Sequence, residues 1–207
     1  QYIRSPNRIR MQKSNRYLPF VILILLPLCS FIYKFDDVVN YYGIPESLSF
    51  NNIDYKLAWS SHPNDTYYKQ EYVPAGDAVE HFHDMVMIDF IQTDLPLKKA
   101  VSAQINTIED RKKTDKVCNY QLLKQNDEYI LDFLMSEGTT TVNTIEWSVY
   151  HYSAYTDKAG HKGILMFGVS HCAYDDDVMP FLRSLGNYRN AKLKALTVFP
   201  IPEIQIK

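Results

Sequence analysis

The chain has 207 residues, of which 46% are apolar and 22% charged, with a formal net charge of −2. That composition excludes a disordered chain, and the length suits one domain with its own core. Arg4, Arg8, Arg10, Lys13 and Arg16 take five of the 22 basic residues, leaving 17 against 24 acidic ones beyond residue 16, which excludes the basic footprint of a nucleic-acid-binding domain.

Residues 1–16 form a basic N-terminal segment. Met11 is the first Met, and residues 1–10 are expected to lie upstream of the true start. Residues 17–33, from Tyr17 to Tyr33, are an uncharged apolar run behind a basic flank. We read it as a membrane anchor that keeps the N-terminus in the cytoplasm. A cleaved signal peptide and a lipoprotein signal ending at Cys29 are the alternatives. The cleavage reading lacks a small-x-small site, and the lipoprotein reading has Leu28 where a small residue precedes the Cys. All three place the remainder of the chain outside the cytoplasmic membrane, in the periplasm if anchored. Residues 34–47 read as a linker, and 48–207 as a single extracytoplasmic domain.

Leu48–Phe50 and Ile53–Trp59 read as strand, interrupted at Asn51-Asn52. Ser61 to Asp65 is a turn cluster. Tyr67–Val73 alternates again as a strand should. Pro74-Ala75-Gly76 ends it, and Asp77 is placed to cap a short helix from Ala78 to Asp84. Val86–Ile91 is rich in β-formers. A longer helix comes next, with Asp94 as cap, Pro96 in its first turn and Leu97, Val101, Ile105 and Ile108 on one stripe. Arg111, Lys112 and Lys113 suit its C-terminal end. Val117–Leu123 and Tyr129–Met135 form a hairpin around Asn126. A second hairpin, Thr144–Tyr174, is expected to be central, because its second arm is apolar at nearly every position. Pairing Thr156 with His161 across its loop puts His151 opposite Met166 and Trp147 opposite Ser170. Asp175-Asp176-Asp177 then opens a last helix with Val178, Phe181, Leu182 and Leu185 inward.

The fold class expected from this order is α+β: an antiparallel sheet of six to seven strands packed with helices, preceded by the apolar segment. The Tyr72-Val73-Pro74-Ala75-Gly76 turn and the Glu146-Trp147-Ser148-Val149-Tyr150 strand resemble an uncharacterised family of exported bacterial proteins. The element order over about residues 48–200 is similar to the PsbP/Mog1-like sandwich fold. That resemblance implies a fold and a compartment, and carries no catalytic motif.

Candidate chemistry is sparse. His81, His83 and Asp84 offer donors for zinc or iron, although on a helix the two His residues diverge by about 200°. In the expected register His151 and His171 lie about 17 Å apart at about 3.3 Å per residue, too far to share a metal, and His171 and Cys172 point to opposite faces, so they cannot form a nucleophile–base pair. Asp175-Asp176-Asp177 lacks the spacing of a calcium loop, and capping explains it better. Cys118 and Cys172 are candidates for a disulfide in an oxidising compartment. The chain has 16 Tyr residues, and Trp147, Tyr150 and Tyr152 are the expected ligand surface on an aromatic sheet face. No residue pattern calls for a cofactor. These readings combine into a non-catalytic, membrane-tethered envelope domain that binds a partner protein or a small apolar ligand. The alternative is a metal-dependent hydrolase using His81, His83 and Asp84.

Overall fold

The computed structural model describes residues 38–138 and 141–207; the apolar segment 17–33 and its anchor reading lie outside them. Eight strands and two helices run in the order β1 (Ser47–Phe50), β2 (Ile53–Asn64), β3 (Tyr67–Pro74), β4 (Asp84–Gln92), α1 (Leu97–Lys112), β5 (Asn119–Gln125), β6 (Glu128–Glu137), β7 (Thr144–Thr156), β8 (Lys162–Tyr174) and α2 (Val178–Val198). All eight strands join one antiparallel sheet, ordered β1-β2-β3-β4-β8-β7-β6-β5. The chain adds β1 to β4 side by side and crosses the sheet through α1 to the far edge. It then meanders back until β8 pairs with β4.

Alternation along the strands sorts side chains onto two faces, and each face carries its own apolar cluster. Under α1 lie Met85, Met87, Leu131, Phe133, Tyr150, Tyr152 and Met166, met by Val101 and Ile108 of the helix. Under α2 lie Val86, Ile88, Phe90, Trp147, Val149, Phe167 and Val169, met by Phe181, Leu193 and Leu196. β4, β7 and β8 are thus covered on both sides, which is why β4 and β8 are apolar at consecutive positions, while β7 alternates and holds half-buried Glu146 and buried Ser148 among its apolar residues. Gly168 of β8 leaves room for the Tyr150 ring of β7; a Cβ there would stand 2.6 Å from it.

The expected fold class is corrected. The six to seven strands are eight, and the several packing helices are two, set one on each face of a single sheet. The extra strand arises at Asn51-Asn52, where φ values of 50° and 63° make a tight hairpin turn, so the interrupted strand is two antiparallel ones. The short helix 78–84 is absent. Its proposed cap, Asp77, instead accepts the backbone N–H groups of His83 (2.6 Å) and Asp84 (3.1 Å), while Ala78 and His81 form an isolated bridge. Competition of this kind between a short acidic side chain and the helix ladder is the usual reason such residues end or prevent helices. Asp94 does not cap α1; Pro96 holds the N-cap position without a side-chain bond. Residues 41–44, part of the expected linker, join the α2-side core, with Tyr42 fully buried. The C-terminal tail returns beside them, Gln205 N–H donating to Tyr42 O at 2.9 Å.

The central hairpin has the right strands and a register shifted by one. Thr156 pairs with Lys162, His151 with Phe167 and Trp147 with His171. The loop is held by Asp157, whose carboxylate accepts the N–H groups of Ala159 and His161 and faces His161 Nδ1 at 2.9 Å. That draws His161 into the turn and moves the first pair out to Lys162.

Candidate functional site

The one-residue shift decides where the chemistry sits. Trp147, His171 and Asp84 form a row across β7, β8 and β4, all on the face under α2. The helix lowers Tyr188 and Lys192 onto the same carboxylate. Tyr188 OH donates to Asp84 Oδ1 at 2.8 Å and Lys192 Nζ at 3.1 Å, and His171 Nδ1 stands at ion-pair distance, 3.5 Å. Phe181 and Tyr188 pack on the His171 ring, with centroids 4.6 and 4.8 Å away. Burial pushes the Asp84 carboxyl up, but His171, the Lys192 charge and Tyr188 outweigh it and hold the group well below the usual carboxylate range. The cluster is an acceptor with its donors already in place, and it pins α2 to the sheet.

Beside it, Arg189 holds Asp132 through Nε and Nη2, both at 2.7 Å, and Trp147 Nε1 donates to the same carboxylate at 3.3 Å. A two-pronged guanidinium contact of this type fixes geometry as well as charge.

The α1 face buries a second polar group. Glu146 accepts from Ser170 Oγ at 2.5 Å and Ser148 Oγ at 2.8 Å. Lys69 pairs with Glu71 at 2.7 Å, and Tyr67 OH donates to Asp89 at 2.5 Å. Burial raises the Asp89 carboxyl to about 6 against the pull of Lys69 and Tyr67.

His81, His83 and Asp84 do not converge. His83 turns to Asp77, Nδ1 to Oδ1 at 3.1 Å, and both imidazoles gather on Tyr174, with centroids 4.1 and 5.9 Å from its ring. Asp84, the next residue, begins β4 and turns to α2. Among the described residues no group of three or more His, Cys, Asp or Glu side chains could hold a metal ion. His151 pairs with Glu128 at 2.7 Å, and lies about 13 Å along the ladder from His171 at about 3.3 Å per residue. Asp175-Asp176-Asp177 forms a single 3-10 turn before α2.

Cys118 and Cys172 are both buried and free. Cys118 lies just before β5 and Cys172 on β8, three strand steps apart, or about 14 Å at about 4.8 Å per step. A bridge needs Cα atoms within about 7 Å, so the expected disulfide is corrected to two buried thiols. Burial pushes Cys118 up to about 11, which makes it a poor nucleophile. Trp147, Tyr150 and Tyr152 are 1%, 5% and 1% exposed. The expected aromatic ligand surface is therefore corrected too: these rings are core, because a helix covers each face of the sheet where they lie.

What remains open is an edge. β5 ends the sheet, and six of its seven residues are exposed, Tyr120 being half-buried. Leu122 and Leu123, on opposite faces, are 40% and 46% exposed. The sequence does carry a signal for this, since adjacent leucines in a polar strand give one apolar residue to each face. A depression of about 580 Å³ beside α1, lined by Asn106, Glu109, Asp110, Lys112 and Lys113, is open to solvent, and its charges pair with one another.

A family model matches residues 42–201. No curated protein and no solved structure matches the chain.

Proposed function

The chain belongs to that family, an uncharacterised one, over residues 42–201, and on this premise we propose that it is a non-catalytic, membrane-tethered envelope domain that binds a partner protein along β5. The observation that carries the proposal is the exposed edge. Among the described residues β5 is paired on one side only, so its outward backbone groups face solvent apart from Tyr120 N–H, which donates to Asn119 Oδ1 at 3.0 Å, and an exposed leucine stands on each face. Strand addition at such an edge gives affinity through the main chain and selectivity through alternate side chains. The opposite edge, β1, is four residues long, and β2 behind it has two register shifts. Short or bulged strands are how sheets blunt an edge. The tether in this proposal is the apolar run 17–33; among the described residues no helix is long and apolar enough to cross a membrane. The likeness to exported proteins of PsbP/Mog1-like fold belongs to the same proposal and adds no chemistry. The hydrolase alternative has no supporting geometry, since its three residues point apart.

Photo-crosslinking tests it on the full chain in membranes. A benzoylphenylalanine at Leu123 is expected to give a discrete covalent adduct, while the same residue at exposed Lys99 on α1 gives none. Adducts of equal yield at both positions, or at neither, would overturn β5 as the docking edge.

A further inference from the structure

We infer that the strand β5 accepts is β5 of a second copy of this chain. This rests on the reading of β5 as the docking edge and names the occupant. The reason is the self-complementarity of Asn119-Tyr120-Gln121-Leu122-Leu123-Lys124-Gln125.

An antiparallel pair formed about a two-fold axis at Leu122 puts each residue opposite a fixed partner. Leu122 meets Leu122 of the second copy. Tyr120 meets Lys124, Gln121 meets Leu123, and Asn119 meets Gln125. On the α1 face the two leucines are therefore flanked on each side by a Tyr–Lys pair, an arrangement with a favourable cation–ring contact. Tyr120 already accepts one cation of this kind, Lys112 Nζ lying 5.3 Å from its ring centroid. Glu109, half-exposed beside Lys112 and interacting with Tyr120, supplies the negative charge that Lys124 of the second copy would approach. On the other face the flanking pairs are amides and the Gln121–Leu123 contacts. No like charges stand opposite each other anywhere in the pairing. A slip of one residue would pair Leu122 with Leu123 and set the α1 face of one copy beside the α2 face of the other, which separates the two Leu122 side chains.

The edge also carries few of the usual guards. β5 has no Pro and no bulge, and Lys124 is its single charge. The pair is isologous and uses both β5 edges; what is left at each end is β1 and the part of β2 that β1 does not cover, residues 57–64, which two register shifts blunt, so the assembly closes at two copies instead of growing. Seven paired residues make a modest interface, so the dimer is expected to depend on concentration and to gain from two tethers in one membrane.

Cysteine crosslinking of the full chain in membranes tests this in a Cys29→Ser background, Cys118 and Cys172 being buried. Directly opposed residues have Cα atoms about 4.5–5.5 Å apart, within disulfide range. Leu122→Cys should therefore form a disulfide-linked dimer under mild oxidant at least ten-fold faster than Gln121→Cys, whose own twin is offset by two residues along the pair. Leu122→Lys, which sets two ammonium groups face to face, should lower the dimer fraction at least ten-fold in sedimentation while leaving the folded spectrum unchanged. Equal crosslinking at the two positions, or none, overturns the self-pairing. If that happens while Leu123 still gives a discrete adduct with another protein, β5 stands as a docking edge with a different occupant. If both fail, the docking edge falls as well.

Discussion

Replacing Asp84 by alanine is expected to lower the stability of the domain by about 3–5 kcal/mol, the usual penalty for removing one member of a buried ion pair. Lys192 is 5% exposed, and Asp84 Oδ1 at 3.1 Å is its carboxylate partner. Without it a desolvated ammonium is left beneath α2, together with the Tyr188 hydroxyl that donated to the same oxygen at 2.8 Å. The second substitution Lys192→Met should recover much of the loss, because it removes the charge and keeps the apolar stem. The pH dependence has a defined sign. The Asp84 carboxyl lies below its ordinary 3.8 in the folded chain, so its contribution is complete above about pH 4 and is lost as the pH falls below that. Urea unfolding of the wild type and both variants between pH 2 and 7 measures all of this. An Asp84→Ala variant within 1 kcal/mol of wild type at pH 7 would contradict the packing described for α2.

Asp89→Asn is expected to act in the opposite direction, raising stability at pH 7 by about 3 kcal/mol. The folded carboxyl sits at about 6 against an ordinary 3.8, and each pH unit of difference is worth about 1.4 kcal/mol. Here the folded state holds its proton longer than the unfolded chain. Stability therefore falls as the pH climbs from about 4 to about 6 and stays lower above that. Asn keeps an oxygen for the Tyr67 hydroxyl, now 2.5 Å from Asp89, and Lys69 keeps Glu71 at 2.7 Å. The variant should thus lose the slope between pH 4 and 6. A variant less stable than wild type at pH 7 would mean that the Lys69 charge outweighs the burial of Asp89.

Local pattern made much of the sheet legible. Alternation marked β3, the apolar run marked β8 as central, and the stripe Val101, Ile105, Ile108 located α1. What failed were features fixed by single polar side chains or by distance. Asn51-Asn52 looked like an interruption because nothing local says whether two left-handed residues end a strand or reverse it. Asp77 looked like a helix cap because its true partners, the N–H groups of His83 and Asp84, are available only once the chain loops back. The hydrogen bonds of Asp157 moved the hairpin register, and with it the face on which His171 stands. Asp84 and His171 were both candidates, but their meeting with Tyr188 and Lys192 spans over 100 residues and depends on β4 pairing with β8. The edge position of β5 depends on that same pairing, so its exposed leucines acquire meaning only in the folded sheet.

Amide hydrogen exchange on residues 119–125 tests the role of β5 most directly. In the full chain diluted into detergent, the solvent-facing amides of this edge strand should exchange within seconds. In the tethered state proposed above, with the chain in membranes at cellular density, they should slow by at least ten-fold, while the amides of β1 and of the Lys158–Gly160 loop keep their rates. Protection of β5 that is the same in both preparations would contradict its assignment as the surface this domain uses.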